Sequence, residues 1–496
     1  MFKKSHLFLI LSSFLPVLSL AAPYWLLLEK SASSENVQKY LPDGVTIRYY
    51  SPALHAISVN SPDKKEIGEI PGVREIKSLC ILYFPRPVIY EGSLHKGGNE
   101  FYGAMYQQLA TMKIPELHSL GITGKGVRVG VIDTGFKKSL PAFERILAEG
   151  RLIAERDFVF ADEDTDDNPD ESPQLFSIHG TGCWSQIGAY VEGEMVGAAY
   201  DAEFVLAKTE DIRSETRIEE DNFVAAIEWF HSLGVNVVSS SLAYLDFDGE
   251  DDDYSFADLD GKSTMVAQIC NWADQQGIII VTAMGNEGPG ESTLWSPADA
   301  EGVISVGSVD SELNPSYFSS RGPTADGRVK PDIMAPGQNC ALASISGGVR
   351  YGTGTSFATP LIAGGVTLLR AAFPSWTRED MLYAFRKHSY LSEKSNELGW
   401  GLPDFEAILR DFQNQAMANI QIKAFPNPAR YTINLRWDNV KPRVRLTLYN
   451  LLGQEIGDYQ SISYEPIHLV NLPVAHLPAG VYLISAEKSS IRFIKY

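Results

Sequence analysis

The stretch Val127-Arg128-Val129-Gly130-Val131-Ile132-Asp133-Thr134-Gly135 carries most of the fold information in this chain. Val127, Val129, Val131 and Ile132 run almost unbroken into a carboxylate and a glycine turn. A short apolar run bounded by turn residues is how a strand buried on both faces of a parallel sheet reads. Working outward, the pattern recurs at Phe204–Ala207, Val235–Val238, Ile278–Thr282 and Val303–Val306. Stretches of helical period lie between these runs. Thr216 and Glu219 read as a capping box ahead of Phe223, Ala226, Ile227 and Phe230, with Gly234 closing the helix. A second helix is expected over Ser263–Gln276, closed by Gly277. Strand and helix alternating in this way predict an α/β fold with a doubly wound parallel sheet.

The flanks read differently. Residues 23–85 form a small α+β pattern, with strands at Tyr24–Glu29, Thr46–Tyr50, Leu54–Val59 and Val73–Leu82 and a short helix at Lys64–Ile70. A unit this small buries too little of its surface to be robust alone. Pro85, Pro87 and Gly92–Gly98 mark residues 86–102 as an exposed linker. From residue 420 the helices stop. Ile420–Lys423, Thr432–Trp437, Arg443–Leu451, Ile467–Asn471 and Val481–Glu487 are short and β-rich, which predicts a small β-sandwich over 420–496. At the other end, Lys3 and Lys4 precede an apolar run from Leu7 to Leu20, followed by the small-x-small pattern Ser19-Leu20-Ala21. This reads as a signal peptide over residues 1–22, too short to span a membrane.

The chain has 496 residues, 44% of them hydrophobic, enough for several buried cores. Its formal net charge of −20 argues against nucleic acid or an anionic lipid surface as a main partner. A monomer is expected. Four cysteines, Cys80, Cys183, Cys270 and Cys340, are too few for a disulfide scaffold, and no Cys-x-x-Cys pair is present. One disulfide or buried free thiols are the open alternatives. Two acidic runs stand out: Asp162, Glu163, Asp164, Asp166, Asp167 and Asp170, and Asp246, Asp248 and Glu250–Asp253. Carboxylates this dense can hold structural Ca²⁺, but neither run has EF-hand spacing, and solvated loops are the simpler reading. No metal site is assigned and no cofactor is required.

Three separated segments each carry one reactive side chain. Asp133 stands at the carboxyl end of the first buried strand, where open α/β sheets place their ligand sites. His179 opens His179-Gly180-Thr181-Gly182. Ser356 lies in Gly354-Thr355-Ser356-Phe357-Ala358-Thr359-Pro360, at the start of a long apolar helix running through Leu369, where the helix dipole favours developing negative charge. A serine hydroxyl is a weak nucleophile and needs a base. A histidine supplies it, and a carboxylate fixes the tautomer and stabilises the imidazolium. Asn286, in Ala283-Met284-Gly285-Asn286-Glu287-Gly288, offers a donor for an oxyanion. Taken singly, each of these residues has a structural explanation.

Together, in the order Asp, His, Ser, these segments resemble the subtilisin-like serine proteases over about residues 100–410. Phe318-Ser319-Ser320-Arg321-Gly322-Pro323 and Lys330-Pro331-Asp332-Ile333-Met334-Ala335-Pro336-Gly337 match further signatures of that family. The resemblance implies a catalytic domain over 103–412, with Ser356 forming an acyl-enzyme, His179 as general base, Asp133 orienting it and Asn286 in the oxyanion hole. It also implies that Ser241, Leu242 and Ala243 pair with substrate backbone and that Glu287 lines the primary specificity pocket. The run Gly182-Cys183-Trp184 departs from the family pattern beside His179. Residues 23–85 are similar to the inhibitory, ferredoxin-like propeptide of such enzymes, with cleavage expected between about Pro85 and Gly103. Residues 421–496 resemble the sorting domain of the type IX secretion system of Bacteroidetes, through Phe425-Pro426-Asn427-Pro428, Leu446–Glu455, Leu477–Ile484 and Lys495. The implied protein is an exported serine endopeptidase, secreted or at the cell surface. Its partners would be peptide substrates, its own propeptide and the type IX machinery. A silent surface-binding protein on the same scaffold and an acyl-transferring transpeptidase are the competing readings.

Overall fold

The computed structural model describes residues 22–61, 64–68, 70–78, 88–90, 100–167, 177–213, 218–245, 254–418, 423–425, 427–438, 443–450, 452, 454–462, 467–486 and 489–496. The signal-peptide reading, Thr216 of the capping box, Cys80, Asp170 and the acidic run 246–253 lie outside them. The chain divides into two compact units: residues up to Tyr83 with the segments 214–221 and 246–253, and everything else.

In the first unit, four antiparallel strands stand in the order Thr46–Ser51, Ala56–Ser61, Ala22–Leu28, Val73–Ser78, with short helices at Ser34–Gln38 and Lys64–Gly68. Leu26, Leu28, Ile57 and Val59 of the central strands pack together, and the helices add Val37 and Ile67. Ser33 caps the first helix by accepting from Asn36 N–H.

The second unit is built on a seven-stranded parallel sheet in the order Ile333–Pro336, Val303–Val309, Ile279–Ala283, Val237–Ser240, Arg128–Asp133, Glu203–Lys208, Leu152–Asp157. All five strands expected from the apolar runs are in it. The two edge strands are the additions. Leu152–Asp157 runs from three apolar residues into three charged ones, and Ile333–Pro336 is only four residues long, so neither reads as a buried run. The chain winds from Arg128–Asp133 to one edge and then, from Val237–Ser240, to the other. The switch point where open sheets bind ligands therefore falls between these two strands, paired Ser240 to Ile132. Gly130 is needed here because a Cβ would meet the Phe230 ring at 2.5 Å.

The helix Thr355–Ala372 is buried along nearly its whole length and packs on the central strands. Pro360, the sixth residue of this helix, cannot donate to the Ser356 carbonyl, which accepts from Ser241 Oγ–H at 2.7 Å instead. Within the stretch read as linker, Val88–Tyr90 is a strand, antiparallel to Val349–Thr353. Its three residues, Val88-Ile89-Tyr90, are β-prone but sit among glycine and proline, which masks the signal.

The C-terminal module has two antiparallel sheets. One contains Lys423–Phe425, Thr432–Asp438 and Ile467–Pro473. The other has the order Glu455–Ile462, Arg443–Asn450, Gly480–Ala486, Ser489–Lys495. Ile433, Leu435, Leu446, Leu448, Ile484 and Phe493 form its core. This is the expected sandwich with two further strands, Glu455–Ile462 and Ser489–Lys495.

Candidate active site

Asp133 ends its strand fully buried. Its Oδ1 accepts from Thr134 N–H at 2.8 Å and pairs with His179 Nδ1 at 2.6 Å. His179 sits in the first turn of the helix Ser177–Gly188. Asp167 anchors that helix start by accepting from Ser177 N–H at 2.8 Å and Ser177 Oγ–H at 2.6 Å. Gly180 permits the close approach: a Cβ there would lie 2.3 Å from Gly135 O and 2.9 Å from Asp133 Cβ. Trp184, from the unusual run after His179, is fully buried and stacks on Phe143 with centroids 3.7 Å apart. The departure from the family pattern is thus absorbed by an aromatic stack under the helix.

Burial disfavours charge on His179, but the Asp133 carboxylate beside it outweighs that and holds its pKa well above the ordinary value. Cys183, one turn on, has its Sγ 3.8 Å from His179 Nδ1 and donates to the Ser356 carbonyl at 3.5 Å. Burial pushes the Cys183 thiol up, keeping it protonated. Ligand atoms of Asp133, His179 and Cys183 lie within 4.8 Å of one another. Nδ1 is committed to Asp133 and the sulfur is a thiol, so the contacts present orient the imidazole. Cys183, Cys270 and Cys340 are free and buried.

Ser356 lies in the first turn of the helix Thr355–Ala372, whose first N–H groups have no intrahelical acceptor. Its hydroxyl is directed to the Ser241 carbonyl at 3.4 Å, and its own carbonyl accepts from Ser241 Oγ–H at 2.7 Å. Asn286 Oδ1 accepts from Thr355 N–H at 2.9 Å and Thr355 Oγ1–H at 3.0 Å. With the oxygen engaged on both, the amide NH₂ is the end left to face the cavity.

These groups meet in an open cavity whose lining includes His179, Ser241, Ala243, Asn286, Trp295 and Ser356. Ser241 and Ala243 line it. Leu242, between them, is fully buried in the opposite direction, as alternation along an extended segment requires. Glu287 is exposed, is not among the lining residues, and its N–H donates to Ser320 Oγ at 2.9 Å. Trp295 and Thr353 complete the wall. Neither carries a sequence signal, because a loop tryptophan and a strand-end threonine acquire this role only through the chain's path. Asp164 is paired with Lys138 at 2.7 Å, Asp166 with Lys137 at 3.3 Å, and Asp167 holds Ser177.

An α/β sheet carrying an Asp–His pair, a serine at a helix start and an amide donor at one switch point defines a serine-hydrolase-like scaffold. Residues 124–401 match the subtilase family, more than half of the chain, and the protein belongs to that family. Among curated relatives, it is 30% identical over 283 residues to subtilisin E of Bacillus subtilis, covering 56% of this chain and 64% of that one. It is 30% identical over 293 residues to the serine protease AprX of Bacillus subtilis, covering 52% and 60%. It is 32% identical over 280 residues to the human membrane-bound transcription factor site-1 protease, covering 54% and 23%. The chain thus spans less than a quarter of the site-1 proteases and under two thirds of the bacterial enzymes. Residues 423–495 match the secretion system C-terminal sorting domain, which directs proteins to the cell surface or beyond by type IX secretion. Among the described residues, no helix is long and apolar enough to cross a membrane.

Proposed function

We propose that this chain is a secreted serine endopeptidase made as a zymogen. The observation that carries the reading is the 2.6 Å Asp133–His179 contact facing the cavity that also holds Ser356 and Asn286. In the reaction, neutral His179 takes the Ser356 proton through its outer nitrogen as Oγ attacks the scissile carbonyl. Asp133 keeps the proton on Nδ1 and stabilises the imidazolium. The Asn286 amide and the Ser356 N–H stabilise the oxyanion. Imidazolium then protonates the leaving amine, and water, activated by the same imidazole, hydrolyses the acyl-enzyme. Ser241–Ala243 offers backbone to an extended peptide by strand addition. The N-terminal unit fits an inhibitory propeptide by size, strand order and position, with removal at a bond within residues 86–102.

Mass spectrometry of purified wild type beside Ser356→Ala, each incubated without added protease, tests this. Wild type is expected to lose its N-terminal unit while the variant stays full length. A fluorophosphonate probe is expected to label wild type alone. A wild type that is neither trimmed nor labelled, even after cleavage of the linker by another protease, overturns the reading.

A further inference from the structure

Behind the Asp–His pair stands a second buried carboxylate with no part in the mechanism above. The strand Glu203–Lys208 lies beside Arg128–Asp133, with Lys208 opposite Asp133. One residue on, Thr209 N–H donates to the Asp133 carbonyl at 3.1 Å. Glu210 follows, fully buried. Its Oε1 accepts from Thr209 Oγ1–H at 2.7 Å and from Tyr244 O–H at 2.9 Å, while Oε2 is buried without a hydrogen-bond partner. A buried carboxylate with one oxygen unsatisfied is costly to keep, so its hydrogen bonds need a reason.

Tyr244 supplies that reason. It directly follows Ser241–Ala243, the segment that leaves the sheet after Ser240 and runs along the cavity outside any ladder. A backbone that is to accept a substrate strand must be held in place before the peptide arrives, or binding has to order it. Its fixed point is Tyr244. The Tyr244 backbone exchanges hydrogen bonds with Ser296 at 2.7 and 3.1 Å, its ring meets Phe223 edge-on, and its hydroxyl ends on Glu210.

We propose that Glu210 and Tyr244 form a strap that holds the segment Ser241–Ala243 in register with the nucleophile, making Glu210 a positioning residue for extended peptide substrates. The proposal rests on the protease reading above. Burial, helped by the Asp133 charge, lifts the Glu210 carboxyl to about 7 against the Thr209 and Tyr244 hydrogen bonds and His179. The strap is therefore strongest above neutrality, where the ionised carboxylate accepts both bonds, and it weakens as the carboxyl takes a proton.

The test uses the full chain after self-processing, with active sites counted by fluorophosphonate. Two substrates are compared: an alanine tetrapeptide nitroanilide, which needs the segment, and p-nitrophenyl acetate, which does not. Tyr244→Phe keeps the ring and is expected to raise KM for the tetrapeptide about tenfold, with kcat and acetate turnover within about twofold. Glu210→Gln keeps an acceptor for Tyr244 and is expected to retain a near-wild-type KM at neutral pH. The variant's KM should stay flat where that of wild type rises on going from about pH 8 to about pH 6. Thr209→Val, which leaves the Tyr244 bond intact, should not change KM. An unchanged tetrapeptide KM in Tyr244→Phe, or equal losses on both substrates, overturns the strap. Should that variant not be secreted, the Glu210→Gln pH profile decides alone, and the same slope as wild type overturns it. A wild type that the probe does not label brings down the protease reading, and the strap with it.

Discussion

At the scale of single residues, the site depends on matching each group to one protonation state. His179 acts as a base only when neutral, yet Asp133 holds its pKa above the ordinary value. Activity should therefore appear as pH rises, with the acid limb of kcat/KM centred above about 6.5, the value for a free imidazole. Asp133→Asn removes the charge and misdirects the tautomer. It should lower kcat by about 10⁴-fold and move the limb to lower pH, read from pH–rate profiles of the processed enzyme. Asn286→Ala deletes a donor needed only when the oxyanion forms. The loss expected is about 10²–10³-fold in kcat with little change in KM, a magnitude borrowed from the corresponding loss in a subtilisin. A rise in KM with unchanged kcat would instead make Asn286 a substrate-binding amide.

At the scale of elements, His179, the proposed base, is only as well placed as its helix. Ser177–Gly188 is held by Asp167 at its start and by Trp184 beneath it. Trp184→Ala should cost about 3–5 kcal/mol, seen as a lowered midpoint in denaturant unfolding. Because the stack sits under the first turns, kcat per folded molecule should fall as well. Asp167→Ala removes a cap-like contact and should cost about 1 kcal/mol. Neither support was legible in advance. Asp167 read as one carboxylate in an acidic run, and Trp184 as an oddity next to a motif. Each acquired its role from a partner, Ser177 or Phe143, that lies far from it in sequence or across a loop.

At the scale of the whole molecule, the buried cluster around Asp332 ties the edge of the sheet to the chain that follows. Asp332 pairs with Lys330 at 2.8 Å and Lys394 at 2.7 Å and accepts from Ser305 N–H and Oγ–H. Burial favours its neutral form, but the two ammonium groups overcome that and depress its pKa. With the folded pKa below the unfolded one, the stabilisation is fully present above about pH 4 and is lost as pH falls toward the folded value. Asp332→Asn leaves the buried Lys330 and the half-buried Lys394 short of their counter-charge and should destabilise the domain by about 3 kcal/mol at pH 7. Equal unfolding midpoints for variant and wild type would remove the cluster from the stability argument.

The five inner strands, the long helix Thr355–Ala372, the small α+β pattern of the N-terminal unit and the C-terminal sandwich were readable from sequence. The reason is that burial on both faces and alternation on one face are local patterns that the residues carry wherever the chain goes. That Asp133, His179, Asn286 and Ser356 would meet was legible too, since each sits in a short motif with its glycines beside it. Tertiary structure alone decided what completes the cleft. The edge strands Leu152–Asp157 and Ile333–Pro336, the strand Val88–Tyr90, the wall residues Trp295 and Thr353 and the Glu210–Tyr244 bond have no local pattern. It also turned Leu242 inward and left Glu287 exposed and outside the cavity lining. These outcomes depend on which distant segments are brought together by the order of strands about the switch point. A contact between residues scores or more apart in sequence has no periodicity for either partner to display.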